Sequence, residues 1–442
     1  MATSRLAVGG GMTESYALAV GDRTHVRIRA ISSGGAGVGD LPDGRVVFVH
    51  RTAPGDLVDI RVRKLHPRWG EGDLQEILEA SPDRVTPPCR HYAQCGGCTL
   101  QHLAYEDQLL WKGRFVTEAM ERIGKQSVEV PPVEPSPAQT RYRNRVTFTL
   151  RRLSAGHVVA GFHALGRPAH VLDVRGECLL PEPEILEVWG ALHDAWKRGL
   201  RPLPSTKELR VTLRALPDGV VVVVRGGARG WDPALLLANV PNVVSVWHHA
   251  GGTPRAEHLA GRVVYEDWGD ERLPVGGQAF VQVNRAAAES LVSYVLAQVG
   301  AGRTAVDAYC GVGVYGRALA RDGWTVTGIE VDPEACKGAS FEPPETFRVL
   351  EGPVEEHLPS ALPADLVILN PPRTGLQEWV PGMLALRPPP RLIYVSCDPA
   401  TLARDAARLG GVFGLESLRA FDLFPQTSHV ETVAVFRSNR TA

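Results

Sequence analysis

A chain of 442 residues is longer than one hydrophobic core usually serves, so two or three domains are expected. Its 44% hydrophobic content is that of a soluble globular protein, and no run approaches the roughly 18 apolar residues of a membrane span, which excludes a helical membrane protein. A formal net charge of −1 excludes a uniformly basic protein that coats nucleic acid, while local basic grooves stay open.

The first residues carry no basic region followed by an apolar core, so no secretory signal is expected and the location read is cytoplasmic. There are seven cysteines, an odd number, and residues 89–98 hold three of them. In that compartment such crowding points to metal or catalysis before disulfides.

Residues 26–31, 45–50 and 56–62 alternate apolar and polar side chains and read as short strands, with residues 74–78 a further one. Gly34-Gly35-Ala36-Gly37-Val38-Gly39 and Pro42-Asp43-Gly44 read as tight turns, since glycine takes positive φ at little steric cost. The glycine run lacks a following Lys-Ser/Thr and opens no helix, so it is not read as a phosphate loop. Strands at this spacing predict a small oligonucleotide-binding-like β-barrel over residues 13–81. Arg27, Arg29, Arg61, Arg63, Lys64 and Arg68 are either a basic face or an ordinary solvated surface.

Residues 82–262 are expected to form a central α+β domain. Cys89, Cys95 and Cys98 stand as C-x5-C-x2-C, and Gly96-Gly97 lets the backbone fold tightly enough for neighbouring thiolates to converge. A fourth ligand is needed, and Cys178 in R-G-E-C-L-L-P is the best unclaimed candidate. Four thiolates suit a [4Fe–4S] cluster or tetrahedral zinc, and the spacing does not separate them. Residues 100–123 have helical periodicity, and the proline-rich residues 130–139 read as a linker. Arg141-Tyr142-Arg143-Asn144-Arg145 opens a strand whose alternate residues are basic, suited to phosphate contact or to a solvated edge. Residues 158–162, 170–174, 208–214 and 220–225 read as further strands.

Over residues 263–442 strands at 304–308, 325–329, 366–369, 392–395 and 431–436 alternate with helices at 316–321 and 399–409. This predicts a parallel sheet with right-handed crossovers, a Rossmann-like domain. Tyr309-Cys310-Gly311-Val312-Gly313-Val314-Tyr315-Gly316 contains G-x-G-x-x-G, and Glu330 closes the next strand, where an acid takes ribose hydroxyls. That pair fits a dinucleotide or S-adenosylmethionine equally. Asn370-Pro371-Pro372-Arg373 then suits a methyltransferase acting on a planar base. Cys336 reads as incidental, on an exposed helix.

Cys397, at the tip of a strand, is a buried filler or a nucleophile. The nucleophile reading has a definite chemistry. Carbon 5 of uracil is too poor a nucleophile to take a methyl group directly. A thiolate adding to carbon 6 activates it, a base then removes the C5 proton, and the thiolate is eliminated. Glu431 in S-H-V-E-T-V is the best base candidate, and His429 either orients a phosphate or Glu431 or is structural.

With these motifs in view, the chain resembles the RNA uracil-C5-methyltransferases that carry a TRAM domain and an iron–sulfur cluster, similar to the bacterial 23S rRNA enzymes. The resemblance spans residues 26–436 and rests on P-G-D in the barrel, C-x5-C-x2-C with Cys178, F-V-Q-V-N, Y-C-G-V-G, G-I-E, N-P-P-R-x-G, V-S-C-D-P and H-V-E-T. It implies a TRAM barrel that binds RNA and a [4Fe–4S] cluster on Cys89, Cys95, Cys98 and Cys178. It also implies Cys397 as nucleophile, Glu431 as proton acceptor, and Gln282, Tyr309, Glu330 and Asn370 in the S-adenosyl-L-methionine pocket. The family usually has Asp where this chain has Asn370. The expected partner is RNA, 23S rRNA before tRNA, with no membrane and a monomeric chain. An amino-methyltransferase of the N-P-P type and a non-catalytic RNA-binding iron–sulfur protein are the alternatives.

Overall fold

The computed structural model describes residues 18–153, 157–200, 202–277, 279 and 281–439. Residues 13–17 of the expected barrel and Phe280 of F-V-Q-V-N lie outside them. Strands β1 (Arg23–Ile31), β2 (Ala36–Asp40), β3 (Val46–His50), β4 (Leu57–Leu65) and β5 (Trp69–Glu79) close a barrel in the order β1-β2-β3-β5-β4. Alternate residues Val26, Ile28, Val47, Val49, Val58 and Ile60 fill it. Four of the six residues of the glycine run expected to be turn, 36–39, belong to strand β2. Its glycines serve close approach: a Cβ at Gly37 would strike the Thr52 hydroxyl, and one at Gly39 would strike Val26.

After α1 (Tyr105–Arg122) comes a central sheet of β6 (Arg145–Arg152), β7 (Val158–Ala164), β8 (Arg167–Asp173), β9 (Glu208–Leu216), β10 (Gly219–Arg225), β11 (Val243–His249) and β12 (Glu257–Gly261). Its order is β12-β11-β10-β9-β6-β7-β8. One face, with Phe148, Val211, Leu213 and Val222, is covered by α2 (Pro183–Lys197) and by Leu236 of α3 (Ala234–Asn239). The Phe148 and Trp189 rings stack at 3.9 Å. A hairpin of β13 (Tyr265–Trp268) and β14 (Glu271–Pro274) follows.

The C-terminal domain contains α4 (Arg285–Ala297), β15 (Thr304–Ala308), α5 (Val314–Arg321), β16 (Thr325–Glu330), α6 (Pro333–Ala339), β17 (Phe347–Glu351), α7 (Val354–Ala361), β18 (Leu366–Leu369), α8 (Val380–Leu386), β19 (Arg391–Ser396), α9 (Pro399–Leu409), β20 (Phe413–Phe421) and β21 (Glu431–Ser438). The sheet runs β17-β16-β15-β18-β19-β21-β20, and β21 alone is antiparallel to both neighbours. β17 and β20 escaped the sequence reading because they are edge strands with broken apolar alternation, and β20 also bulges between Leu415 and Ser417. Cys336 is not on an exposed face: it is buried on α6, and its thiol donates to the Glu330 carbonyl at 3.3 Å.

Two further expectations change. The helix expected over residues 100–123 starts at Tyr105, and Val116 and Met120 pack into the C-terminal core with Tyr394, Leu402 and Phe413. Residues 130–139 are no free linker: Val133 joins that core, and the Glu134 N–H donates to the Ala420 carbonyl at 2.9 Å. Periodicity shows that a helix has an apolar face but not which core receives it.

Lys112 of α1 and Asp422, both fully buried, form an ion pair at 2.5 Å, and Lys112 also donates to the Phe424 carbonyl at 3.1 Å. Lys112→Met leaves Asp422 charged without its partner in an apolar setting, at an expected loss of about 3–5 kcal/mol. Denaturant unfolding checks this, and a loss below about 1 kcal/mol shows that the pair does not hold α1 to the C-terminal domain.

Candidate active site and cysteine pocket

The candidate site lies at the carboxyl edge of the C-terminal sheet, where β15, β18 and β19 end and β21 begins. At β15 the chain turns through Tyr309, Gly311 and Gly313, all at positive φ. Gly313 starts α5 at φ +83°, and a Cβ there would meet the Phe347 ring at 2.9 Å. Asp307, fully buried, accepts the Gly316 N–H at 2.8 Å and so ties β15 to α5. Burial pushes its carboxyl up to about 7, opposed by that N–H. The other Asp307 oxygen has no partner among the described residues.

Glu330 ends β16 and is partly exposed. One oxygen accepts Gly311 N–H at 2.8 Å, and the other accepts Val331 and Asp332 N–H, each at 2.8 Å. The structure therefore brings Tyr309 and Glu330 to one turn. Asn370 follows β18, which pairs with β15, and its N–H donates to the Ala308 carbonyl at 3.2 Å. Gln282 lies before α4, and its carbonyl accepts from the Asn144 amide at 3.0 Å.

Cys397 follows β19 in a tight turn. Asp398 caps α9 by accepting Ala400 and Thr401 N–H at 2.9 and 3.0 Å. In the β19–β21 pairing Ser396 faces Thr432, which sets Glu431 beside the Cys397 turn. Glu431 is 4% exposed. Burial pushes its carboxyl up to about 8, and the Arg373 guanidinium opposes this. The Cys397 thiol is held up near 11 by burial and then by the Glu431 charge, with Arg373 opposing through its charge and a hydrogen bond. Arg373 thus faces both reactive groups. The sequence reading gave Arg373 no role of its own; its position in N-P-P-R was the available signal. Asp307 was missed as well, although an acid two residues before the turn is visible in the sequence. His429 is kept neutral, pushed down to about 4 by desolvation and by Arg373, Arg143 and Lys112. Its ring makes no hydrogen bond to Glu431 among the described residues.

Cys89, Cys95, Cys98 and Cys178 line one pocket, whose wall is largely apolar through Val146, Phe162, Val174 and Leu180. Among the described residues no three such side chains converge closely enough to hold a single metal ion. Burial and then the neighbouring thiols push Cys178 up to about 11, and burial followed by Cys178 pushes Cys98 up to about 12. The Gly97 N–H donates to the Cys95 sulfur at 3.4 Å. Arg51 of the barrel, at φ +69°, donates to the Cys98 carbonyl at 2.7 Å and the Cys95 carbonyl at 2.5 Å, and lies 3.7 Å over the Tyr92 ring. Immediately after Cys98, Thr99 and Leu100 donate to the Gln426 carbonyl at 3.0 and 3.1 Å, and the Thr99 hydroxyl accepts Ser428 N–H at 2.9 Å. Tyr142 donates to the Pro425 carbonyl at 3.0 Å. The loop that leads to Glu431 is therefore hydrogen-bonded to the cysteine segment.

Residues 18–74 match the TRAM domain family, and residues 359–439 match the tRNA (uracil-5-)-methyltransferase family. The chain is 36% identical to an uncharacterized RNA methyltransferase of Gloeobacter violaceus, over 96% of this chain and 98% of that one. It is 34% identical to another from Thermosynechococcus vestitus, over 95% and 99%. Among solved structures it is similar to the tRNA (uracil-54, C5)-methyltransferase of Pyrococcus abyssi in complex with S-adenosyl-L-homocysteine. That likeness has 26% identity and a TM-score of 0.71, and covers 93% of this chain and 100% of the other.

The raised Glu431 carboxyl has a consequence for stability. Between its ordinary 4.5 and about 8 the folded chain holds a proton that the unfolded chain has released, so stability falls as pH rises through that window. Glu431→Gln removes this dependence. Relative to the parent, the variant is expected to gain stability from pH 5 to pH 8, by at most about 4 kcal/mol at 1.36 kcal/mol per pKa unit. Thermal unfolding at the two pH values measures the gain, and an equal difference at both pH values rules out a raised Glu431.

Proposed function

The chain belongs to the RNA uracil-C5-methyltransferase family, and on that premise we propose that it methylates carbon 5 of a specific uridine through a covalent bond from Cys397 to carbon 6. The observation that carries this reading is the Cys397–Glu431–Arg373 grouping at the sheet edge. S-adenosylmethionine supplies the methyl group when bound. The half-exposed Glu330 carboxylate, fixed by three backbone N–H groups beside a turn crowded against Phe347, fits a nucleoside's ribose. Gln282, Tyr309 and Asn370 complete that pocket.

Arg373 favours the Cys397 thiolate, which adds to carbon 6 and places the electron pair on the C5–C4–O4 system. Carbon 5 then takes the methyl group. Glu431, as carboxylate, removes the C5 proton, the C5–C6 double bond re-forms and the Cys397 sulfur leaves. A buried carboxyl poised near neutrality suits proton removal. The base must be out of its stack for carbon 6 to be attacked from its face.

Cys89, Cys95, Cys98 and Cys178 would hold the [4Fe–4S] cluster that the family resemblance implies, four thiols being a donor set such a cluster uses. Their common apolar pocket and the Gly97 N–H aimed at the Cys95 sulfur support this reading. The pocket's place beside the Gln426 loop supports a structural role. The resemblance to the bacterial 23S rRNA enzymes favours 23S rRNA as substrate. The likeness to the Pyrococcus abyssi enzyme favours tRNA as the second reading.

Cys397→Ala is expected to lower methylation at least about 10³-fold, as loss of a covalent nucleophile does. Substantial residual activity points to an amino-methyltransferase instead. Glu431→Gln is expected to trap a covalent RNA adduct that survives denaturing electrophoresis. A folded, RNA-binding variant without any adduct removes Glu431 from the role of base. Protein purified without oxygen is expected to be brown, and a colourless preparation with stoichiometric zinc reverses the cluster assignment. Mapping methylated uridines in rRNA and tRNA from cells with and without the gene decides the substrate.

A further inference from the structure

The face of the central sheet opposite α2 is covered over only part of its extent. Val221 and Val223 pack there against Val275, Val281 and Val312, the last within the glycine turn. Beyond that cover the surface changes. Thr149, Arg210 and Arg225 stand side by side in register across β6, β9 and β10. Arg210 and Arg225 are exposed and directly opposite each other. Arg145 shares the face, as do Thr147 and Thr212, whose hydroxyls meet at 2.8 Å.

Like charges directly opposite in a sheet repel and destabilise it. Such a row is ordinarily relieved by an interleaved carboxylate. None of Arg145, Arg210 and Arg225 has an ion pair among the described residues. Nearby carboxylates are engaged elsewhere: Glu208 with Arg151 at 2.6 Å, and Glu266 with Arg214 at 3.0 Å and Arg285 at 2.7 Å. Arg145 also feels Arg225: its guanidinium is lowered first by burial and then by that neighbouring charge. Among the described residues no carboxylate pairs with these three guanidinium groups. The face also connects to the site, because Asn144, just before β6, donates to the Gln282 carbonyl at 3.0 Å.

We propose that this open sheet face carries the RNA strand flanking the target uridine, with Arg145, Arg210 and Arg225 on successive backbone phosphates and the Thr147 and Thr212 hydroxyls donating to phosphate or 2′-hydroxyl oxygens. The proposal rests on RNA as substrate and extends the basic strand start at Arg145 to Arg210 and Arg225, which no motif marked. Contacts of this kind position the strand without reading bases, so they act on affinity and salt dependence rather than on the chemical step.

The test uses the full chain with Arg210→Ala and Arg225→Ala together, and a fluorescent oligouridylate as probe, titrated across salt concentrations. The slope of log affinity against log salt is expected to shrink by about 1.4, from two single-strand phosphate contacts at roughly 0.7 each, with affinity at low salt falling about tenfold or more. S-adenosylmethionine binding is expected to match the parent, and the melting temperature to be no lower than the parent's, since the repulsion is relieved. The double Lys variant is expected to keep most of the slope. A folded double Ala variant with parental affinity and slope overturns the proposal. Parent protein that binds the probe through these arginines yet methylates no uridine supports the surface and overturns the catalytic reading.

Discussion

The Gln426 carbonyl accepts two backbone N–H groups, from Thr99 and Leu100, and the rest of the molecule is arranged around that contact. Gln426 sits at φ +70°, a conformation that a side chain rarely adopts and that persists only when its surroundings hold it. They do so from several sides. Gln108 donates to its side chain at 3.2 Å and accepts its N–H at 3.0 Å, and Tyr142 holds Pro425. Lys112 anchors Asp422 at the start of the same loop. On the far side of the cysteine segment, Arg51 ties the barrel to the Cys95 and Cys98 carbonyls. A close approach of Gly35 to Thr99, where a Cβ would collide at 2.6 Å, adds a second barrel contact. The barrel, the cysteine pocket and the loop before Glu431 are thus joined by short polar contacts.

A second junction joins the central sheet to the catalytic domain. Arg214, nearly inaccessible on β9, pairs with Glu266. Arg285, at the start of α4, bridges Glu266 and Glu182 and donates to the Ala215 carbonyl. Buried pairs of this kind are weak sources of net stability but are costly to break singly, which suits a fixed relation between two surfaces. Here it fixes the open sheet face relative to the glycine turn.

At the sheet edge the balance is electrostatic. Cys397 and Glu431 lie together in a desolvated site, so neither ionises readily, and the Arg373 charge opposes both shifts. A thiol near 11 and a carboxyl near 8 describe a resting site that holds its protons. In the reaction proposed above, Arg373 favours the Cys397 thiolate and the Glu431 carboxylate becomes available close to neutral pH.

Much of this was legible in the chain alone. Val26, Ile28 and their alternating neighbours announced the barrel. The alternation of strands and helices after residue 263 announced the parallel sheet, and strand ends placed Tyr309, Glu330, Asn370 and Cys397 on one edge because carboxyl tips of parallel strands share an edge. These are local patterns with a single geometric consequence. What tertiary structure decided were pairings between distant segments: α1 in the catalytic core, residues 130–139 along β20, Arg373 against Cys397 and Glu431, and Arg210 across from Arg225. Nothing in the spacing of a helix or strand names the surface it will meet, since periodicity encodes which face is apolar and leaves the choice of partner to packing of the whole chain.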